Sequence, residues 1–220
     1  MSKIQYLGSG IEVIHYPTFE KLFPDHPELK FVWITPEAEA AVNQLSESIR
    51  ENRGKFISGC IDIENLLSRV ISYFFFDKDS EKREIFHIFI LDATTLSFKQ
   101  KETLLRLLME KYPEKFDSII DKKRQELIRT LDELIKKRNA FAHGKIVIDY
   151  QAQETVLIFY DRSKNRSDKL ILSSTQFSEL HEKIVNVCEI LLALFPSECA
   201  TSTEYGGVRI DRGSLKSNKE

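Results

Sequence analysis

Arg138 and His143 are the two residues whose types and spacing could break a phosphodiester bond. They lie in the segment Lys136-Lys137-Arg138-Asn139-Ala140-Phe141-Ala142-His143-Gly144. Arginine is a permanent cation whose planar fork can hold a phosphate through two parallel hydrogen bonds. Histidine, with an ordinary pKa of about 6.5, can take or give a proton near neutrality. Together they suffice for RNA cleavage without a metal: one group moves the 2′-hydroxyl proton and the other steadies the charged phosphorane. No metal and no cofactor are expected.

Spacing restricts how the pair can act. Five positions along an ideal helix turn through about 140°, so the two side chains do not share a face. They converge only at a frayed helix end, or where two copies of the helix pack together in a symmetric dimer. Taken singly, each residue also has a structural role open to it. His143 before Gly144 suits a helix C-terminus, with the imidazole near the last carbonyls and Gly144 as the C′ residue. Arg138 could pair with Glu133 or Glu64.

Charge around the motif is compatible with a phosphate backbone. The whole chain carries a net charge of −2, which excludes a globally basic nucleic-acid binder. Between Asp121 and Lys145, however, eight Lys and Arg stand against four acids. Lys136, Lys137 and Lys145 are the expected RNA contacts. The alternative is a solvated helix face laced by i,i+4 pairs.

Other chemistry is poorly represented. There is no GxxxxGK[ST] phosphate loop, and His181-Glu182 lacks the second histidine of HExxH at Val185. Gly8-Ser9-Gly10 is not followed by DxD, which withholds support for a nucleotidyltransferase. Cys60, Cys188 and Cys199 are odd in number and far apart, which fits a reducing compartment better than a disulfide framework. The N-terminus shows no signal-peptide pattern, and the apolar runs are short of the roughly 20 residues a membrane span needs. A cytoplasmic protein with no membrane association is expected.

The elements that must carry the motif are mainly helical. Residues 1–34 hold three prolines and two glycines, and predict an irregular arm with a short strand at Phe31–Ile34. Thr35-Pro36 opens a helix that should end near Asn52, before Gly54. The next helix carries the core stripe Phe56, Cys60, Ile63, Leu67, Val70 and Phe74. A third helix is expected over about 81–92. Ser97 to Gln100 forms a capping box that opens a fourth, to about Lys111. A long fifth covers about 114–142, with one break expected near Asp121 and with Leu127, Leu131, Leu134 and Ile135 on its buried side. Three β-rich segments, 145–150, 155–160 and 169–172, predict a small antiparallel meander. A last helix over about 175–195 precedes a polar tail, 197–220, expected to be disordered.

Arg138-Asn139 with His143 resembles the Arg-polar-x3-His signature of the HEPN superfamily. The spelling RNAFAHG is similar to the RN-x-FAH of bacterial members. The stretch from Gly59 to Leu67 looks like the family's earlier core helix, and Leu96 to Lys101 also looks like bacterial relatives. The resemblance covers roughly 35–144 plus the final helix. It implies a HEPN-like helical bundle over 35–196, with the β-meander of about 145–172 inserted before the C-terminal helix. It also implies a homodimer in which Arg138 and His143 from two protomers face each other, cut single-stranded RNA and leave a cyclic phosphate. Asn139 would orient the pair. Glu64 would be the supporting acid of the earlier helix, although Asp62 could fill that role. Such enzymes occur as toxins with an antitoxin partner and as antiviral defence effectors. Regulatory proteins resembling the mannitol-repressor family carry the same helix end, which leaves a non-catalytic dimerisation or partner-binding module as the alternative. Binding of nucleic acid without cleavage is a third reading.

Overall fold

A computed structural model describes residues 3–7, 11–15, 36–77, 79–91, 95–117, 119, 121–149, 154–161, 164–195, 202–205 and 208–211. The expected strand at Phe31–Ile34 lies outside these residues. The chain is mainly helical: α1 (Pro36–Phe76), α2 (Ser80–Phe89), α3 (Phe98–Lys111), α4 (Asp121–His143) and α5 (Ser174–Ala193). A short 3-10 turn, Pro113–Phe116, precedes α4, so the break expected near Asp121 is present. No helix among the described residues is long and apolar enough to cross a membrane.

Contacts group the chain into two compact units. One comprises residues 1–55 and 138–178, the other residues 56–137 and 179–220.

The first unit is built on a five-stranded sheet, β1 (Lys3–Leu7), β2 (Ile11–His15), β3 (Lys145–Asp149), β4 (Glu154–Asp161) and β5 (Arg166–Ile171), ordered as numbered. The meander β3-β4-β5 is antiparallel throughout, as its sequence predicts. The arm departs from expectation: β1 and β2 pair as an antiparallel hairpin, and β2 lies parallel to β3. The prolines read as opposing order all follow residue 16, so they place no restriction on Lys3–His15, where the apolar residues alternate. In the sequence the two strands are separated by Gly8, Ser9 and Gly10. Ile146 and Leu157 are register partners and both are buried. Phe141 at the end of α4 packs on Phe177 of α5, with ring centroids 5.8 Å apart, and both are buried.

The second unit is helical. The stripe on α1 is buried from Phe56 through Val70, and Leu127, Leu131, Leu134 and Ile135 of α4 are buried too. The capping box of α3 forms in full: Ser97 Oγ accepts from the Gln100 amide, and Gln100 Oε1 accepts from the Ser97 amide at 2.8 Å. α2, by contrast, buries none of its residues and exposes Ile85, Ile88 and Phe89.

Two further expectations are corrected. α1 is one helix of 41 residues and does not end at Asn52. A glycine in a helix costs only about 1 kcal/mol relative to alanine, and Gly54 has open space around it and no left-handed φ that would end the helix. Burial of Ile49 before it and Phe56 after it outweighs that cost. The tail is not wholly irregular: β6 (Ser202–Tyr205) and β7 (Val208–Asp211) form an antiparallel hairpin. Gly206-Gly207 between them is a two-residue hairpin signal that the polar composition of the tail obscured.

Candidate functional site

The motif occupies the last turns of α4, where the helix hands the chain directly to β3. Burial of Ala140 and Phe141 fixes the inner side of this turn. Arg138 is therefore left half-buried, and Asn139 and His143 are exposed. The terminus is closed from outside the helix: Arg53 of α1 donates from Nη2 to the Ala142 carbonyl oxygen at 3.4 Å. The Gly144 amide donates to the Ala140 carbonyl at 2.7 Å, completing the final helical bond.

Gly144 is needed here for space. A Cβ at this position would come within 2.5 Å of the Ala140 carbonyl oxygen, 2.7 Å of Leu157 Cδ1 and 3.0 Å of the Ile158 carbonyl oxygen. No left-handed φ is involved. The expected C′ glycine is thus a close-approach glycine that lets β4 lie against the helix end. His143 has no hydrogen-bond partner among the described residues, so carbonyl capping at this end falls to Arg53.

Arg138 donates from Nη1 to Asn139 Oδ1 at 3.2 Å, the one side-chain bond it makes among the described residues. Both acids considered as its partners are engaged by lysines. Glu133 accepts two bonds from Lys183 Nζ, at 2.6 and 2.8 Å, and one ion pair from Lys137 at 3.2 Å. Burial pushes the Glu133 carboxyl up, but the bonds from Lys183 and Lys137 outweigh it and hold it below its ordinary value. Glu64 receives Lys101 Nζ at 2.9 Å, with the two side chains only 10% and 3% exposed. The pair commits this carboxylate to a buried counter-ion. Asp62, the other acid on this stretch of α1, is half-buried with no partner among the described residues, and burial raises its carboxyl.

The expected RNA contacts separate into two kinds. Lys136 pairs with Asp132 at 2.8 Å and Lys137 with Glu133 at 3.2 Å, both four residues apart. Their positive charge is thus largely matched along α4, the i,i+4 arrangement weighed against a phosphate-docking face. Lys136 from its exposed side, and Lys99 from α3 at 3.0 Å, hold the Asp132 carboxyl below its ordinary value. Lys145 opens β3 and is exposed. Among the described residues, no three His, Cys, Asp or Glu side chains gather in a way that could hold a metal ion. Sequence reasoning missed Arg53 and named Asp62 only as an alternative to Glu64. Neither carries a motif, and only packing shows what each touches or lacks.

No family model, no curated protein and no solved structure matches the chain.

Proposed function

We propose that this protein is a metal-independent endoribonuclease of HEPN type, acting on single-stranded RNA through Arg138 and His143 contributed by two protomers. The observation that carries this reading is Arg138 itself. Its guanidinium has no carboxylate partner among the described residues and is steadied by Asn139, on the same helix end that presents His143 to solvent. An arginine without a counter-ion is poised to take a phosphate, and an exposed imidazole can reach a substrate hydroxyl.

In the reaction, His143 takes the proton from the 2′-hydroxyl, and the 2′-oxygen attacks phosphorus. Arg138 holds the non-bridging oxygens as charge builds on them. The 5′-oxygen leaves with a proton from water, giving a 2′,3′-cyclic phosphate and a 5′-hydroxyl, and the His143 imidazolium returns its proton to solvent. The angular separation of about 140° between the two positions on one helix is the reason for assigning them to opposite protomers. By the resemblance the supporting acid is Glu64, with Asp62 as the alternative. A toxin or an antiviral effector is the biological setting in which such an enzyme fits.

One observation favours a second reading, a non-catalytic dimerisation or regulatory module. Lys136 and Lys137 are already neutralised along the helix and offer little to an RNA backbone. The deciding experiment incubates labelled single-stranded RNA with purified protein in excess EDTA, beside His143→Ala and Arg138→Ala. The enzymatic reading expects cutting by the wild type and a drop of about 10²–10⁴-fold in the His143 variant at an unchanged melting temperature. Cleavage that persists in both variants removes the site assignment. Absence of cleavage by a confirmed dimer, across several RNAs, favours the module.

A further inference from the structure

The second unit contains a small cavity of about 190 Å³ lined by Arg69, Ser72, Ser80, Arg83, Glu84, His87 and Phe195. Drug-sized ligands occupy roughly 300–1,000 Å³, so this space suits a much smaller group. Arg69 stacks on the Phe195 ring at 5.4 Å and Arg83 on the Tyr73 ring at 5.3 Å. Stacking uses the face of each guanidinium and leaves its in-plane N–H groups directed outward. Arg83 Nε is buried yet has no hydrogen-bond partner among the described residues. A buried guanidinium donor left without an acceptor is costly, and an acceptor in the cavity would recover that cost.

We propose that this cavity binds a phosphate-sized oxyanion, either free phosphate or the terminal phosphate of a phosphomonoester. Two forked guanidiniums supply charge and paired donors, the Arg83 Nε supplies a desolvated one, and the Ser80 and Ser72 hydroxyls and the His87 ring line the same space. Ser72 already donates to the Arg69 carbonyl at 2.9 Å, so it meets the anion as an auxiliary contact. Two acids stand nearby. Glu84 lines the cavity and restricts it to ligands that fill the arginine side. Asp79 is committed to Lys82, accepting from its amide at 3.0 Å and its Nζ at 2.9 Å. The site is independent of Arg138 and His143, and its occupancy would be a means by which a small phosphorylated ligand acts on the helical unit.

The test follows the arginine Nε–H signals of the full-length, isotopically labelled protein by NMR. Potassium phosphate and adenosine monophosphate are the titrants, with potassium chloride at matched ionic strength and adenosine as controls. The Arg83 signal, identified by its loss in Arg83→Lys, is expected to move saturably with one or both phosphates and with neither control. Tighter binding of the monophosphate identifies a phosphomonoester site, and equal or tighter binding of inorganic phosphate identifies a free-anion site. Arg69→Gln, an exposed substitution, should weaken binding about tenfold or more. No movement of any arginine Nε–H signal overturns the proposal. So does an equal response to chloride or adenosine, or an unchanged affinity in Arg69→Gln. Should Arg83→Lys fail to fold, the wild-type titration and Arg69→Gln still decide.

Discussion

Gly144 and Gly54 allow one substitution to be tested with opposite expected signs. At Gly144 an added methyl meets two carbonyl oxygens, at 2.5 and 3.0 Å, and Leu157 Cδ1 at 2.7 Å. The Leu157 side chain can rotate, but the carbonyls cannot retreat cheaply. The Ala140 oxygen accepts the last bond of α4, and Ile158 is held in register opposite Lys145. Overpacking of this kind costs about 1–3 kcal/mol, and weakening one backbone hydrogen bond adds about 1 kcal/mol. Gly144→Ala should therefore destabilise by ~3 kcal/mol, a fall of roughly 6–12 °C in melting temperature for a chain of this size. At Gly54 the same methyl meets nothing, and α1 continues through it, so Gly54→Ala should stabilise by about 0.5–1 kcal/mol. Circular-dichroism melts and urea titrations of the two variants and the wild type read both effects. A Gly144→Ala melt within about 2 °C of the wild type, or a Gly54→Ala variant less stable than the wild type, would refute these assignments.

Further outcomes follow from the site and its surroundings. Glu64→Gln should lower the melting temperature by leaving Lys101 buried without its counter-ion. A thermal melt of Glu64→Gln unchanged from the wild type would refute the buried pairing. Lys101→Met alone should cost about 3–5 kcal/mol, and pairing it with Glu64→Leu should recover most of that loss in a urea melt. Asp132 is ionised below its ordinary pKa by Lys136 and Lys99, so the unfolded chain binds its proton more readily. Its contribution is present above the ordinary carboxylate range and fades as pH falls through the lower, folded value. Asp132→Asn should flatten the acid limb of the stability profile, and an unaltered limb would contradict the pairing. Burial, with the charges of Asp62, Cys60 and Glu189 adding to it, pushes the Cys188 thiol up to about 12. Cys188 and Cys60 should resist thiol reagents at mildly alkaline pH until urea unfolds the chain, and prompt labelling of either would show that the core opens.

The amino-acid sequence by itself determined the helical class, most helix boundaries and the core stripes. These depend on local periodicity and capping, as at Ser97 with Gln100 and along Phe56 to Val70. It also determined the meander, because each of its three segments is β-rich and bounded by polar turns. The motif residues, too, were legible from their types and spacing, with a frayed helix end and a second copy both left open as ways for Arg138 and His143 to meet. Tertiary structure decided the rest. Whether Gly54 ends a helix depends on the burial of Ile49 and Phe56 around it, which no local window weighs. The N-terminal strands owe their place to pairing with β3, more than 130 residues away in the chain. Pairing partners for charges were equally beyond the sequence: Glu64 went to Lys101, Glu133 to Lys183, and Arg138 was left with Asn139. Electrostatic contacts form between residues that packing brings together, and packing is a property of the whole fold rather than of the spacing along one helix.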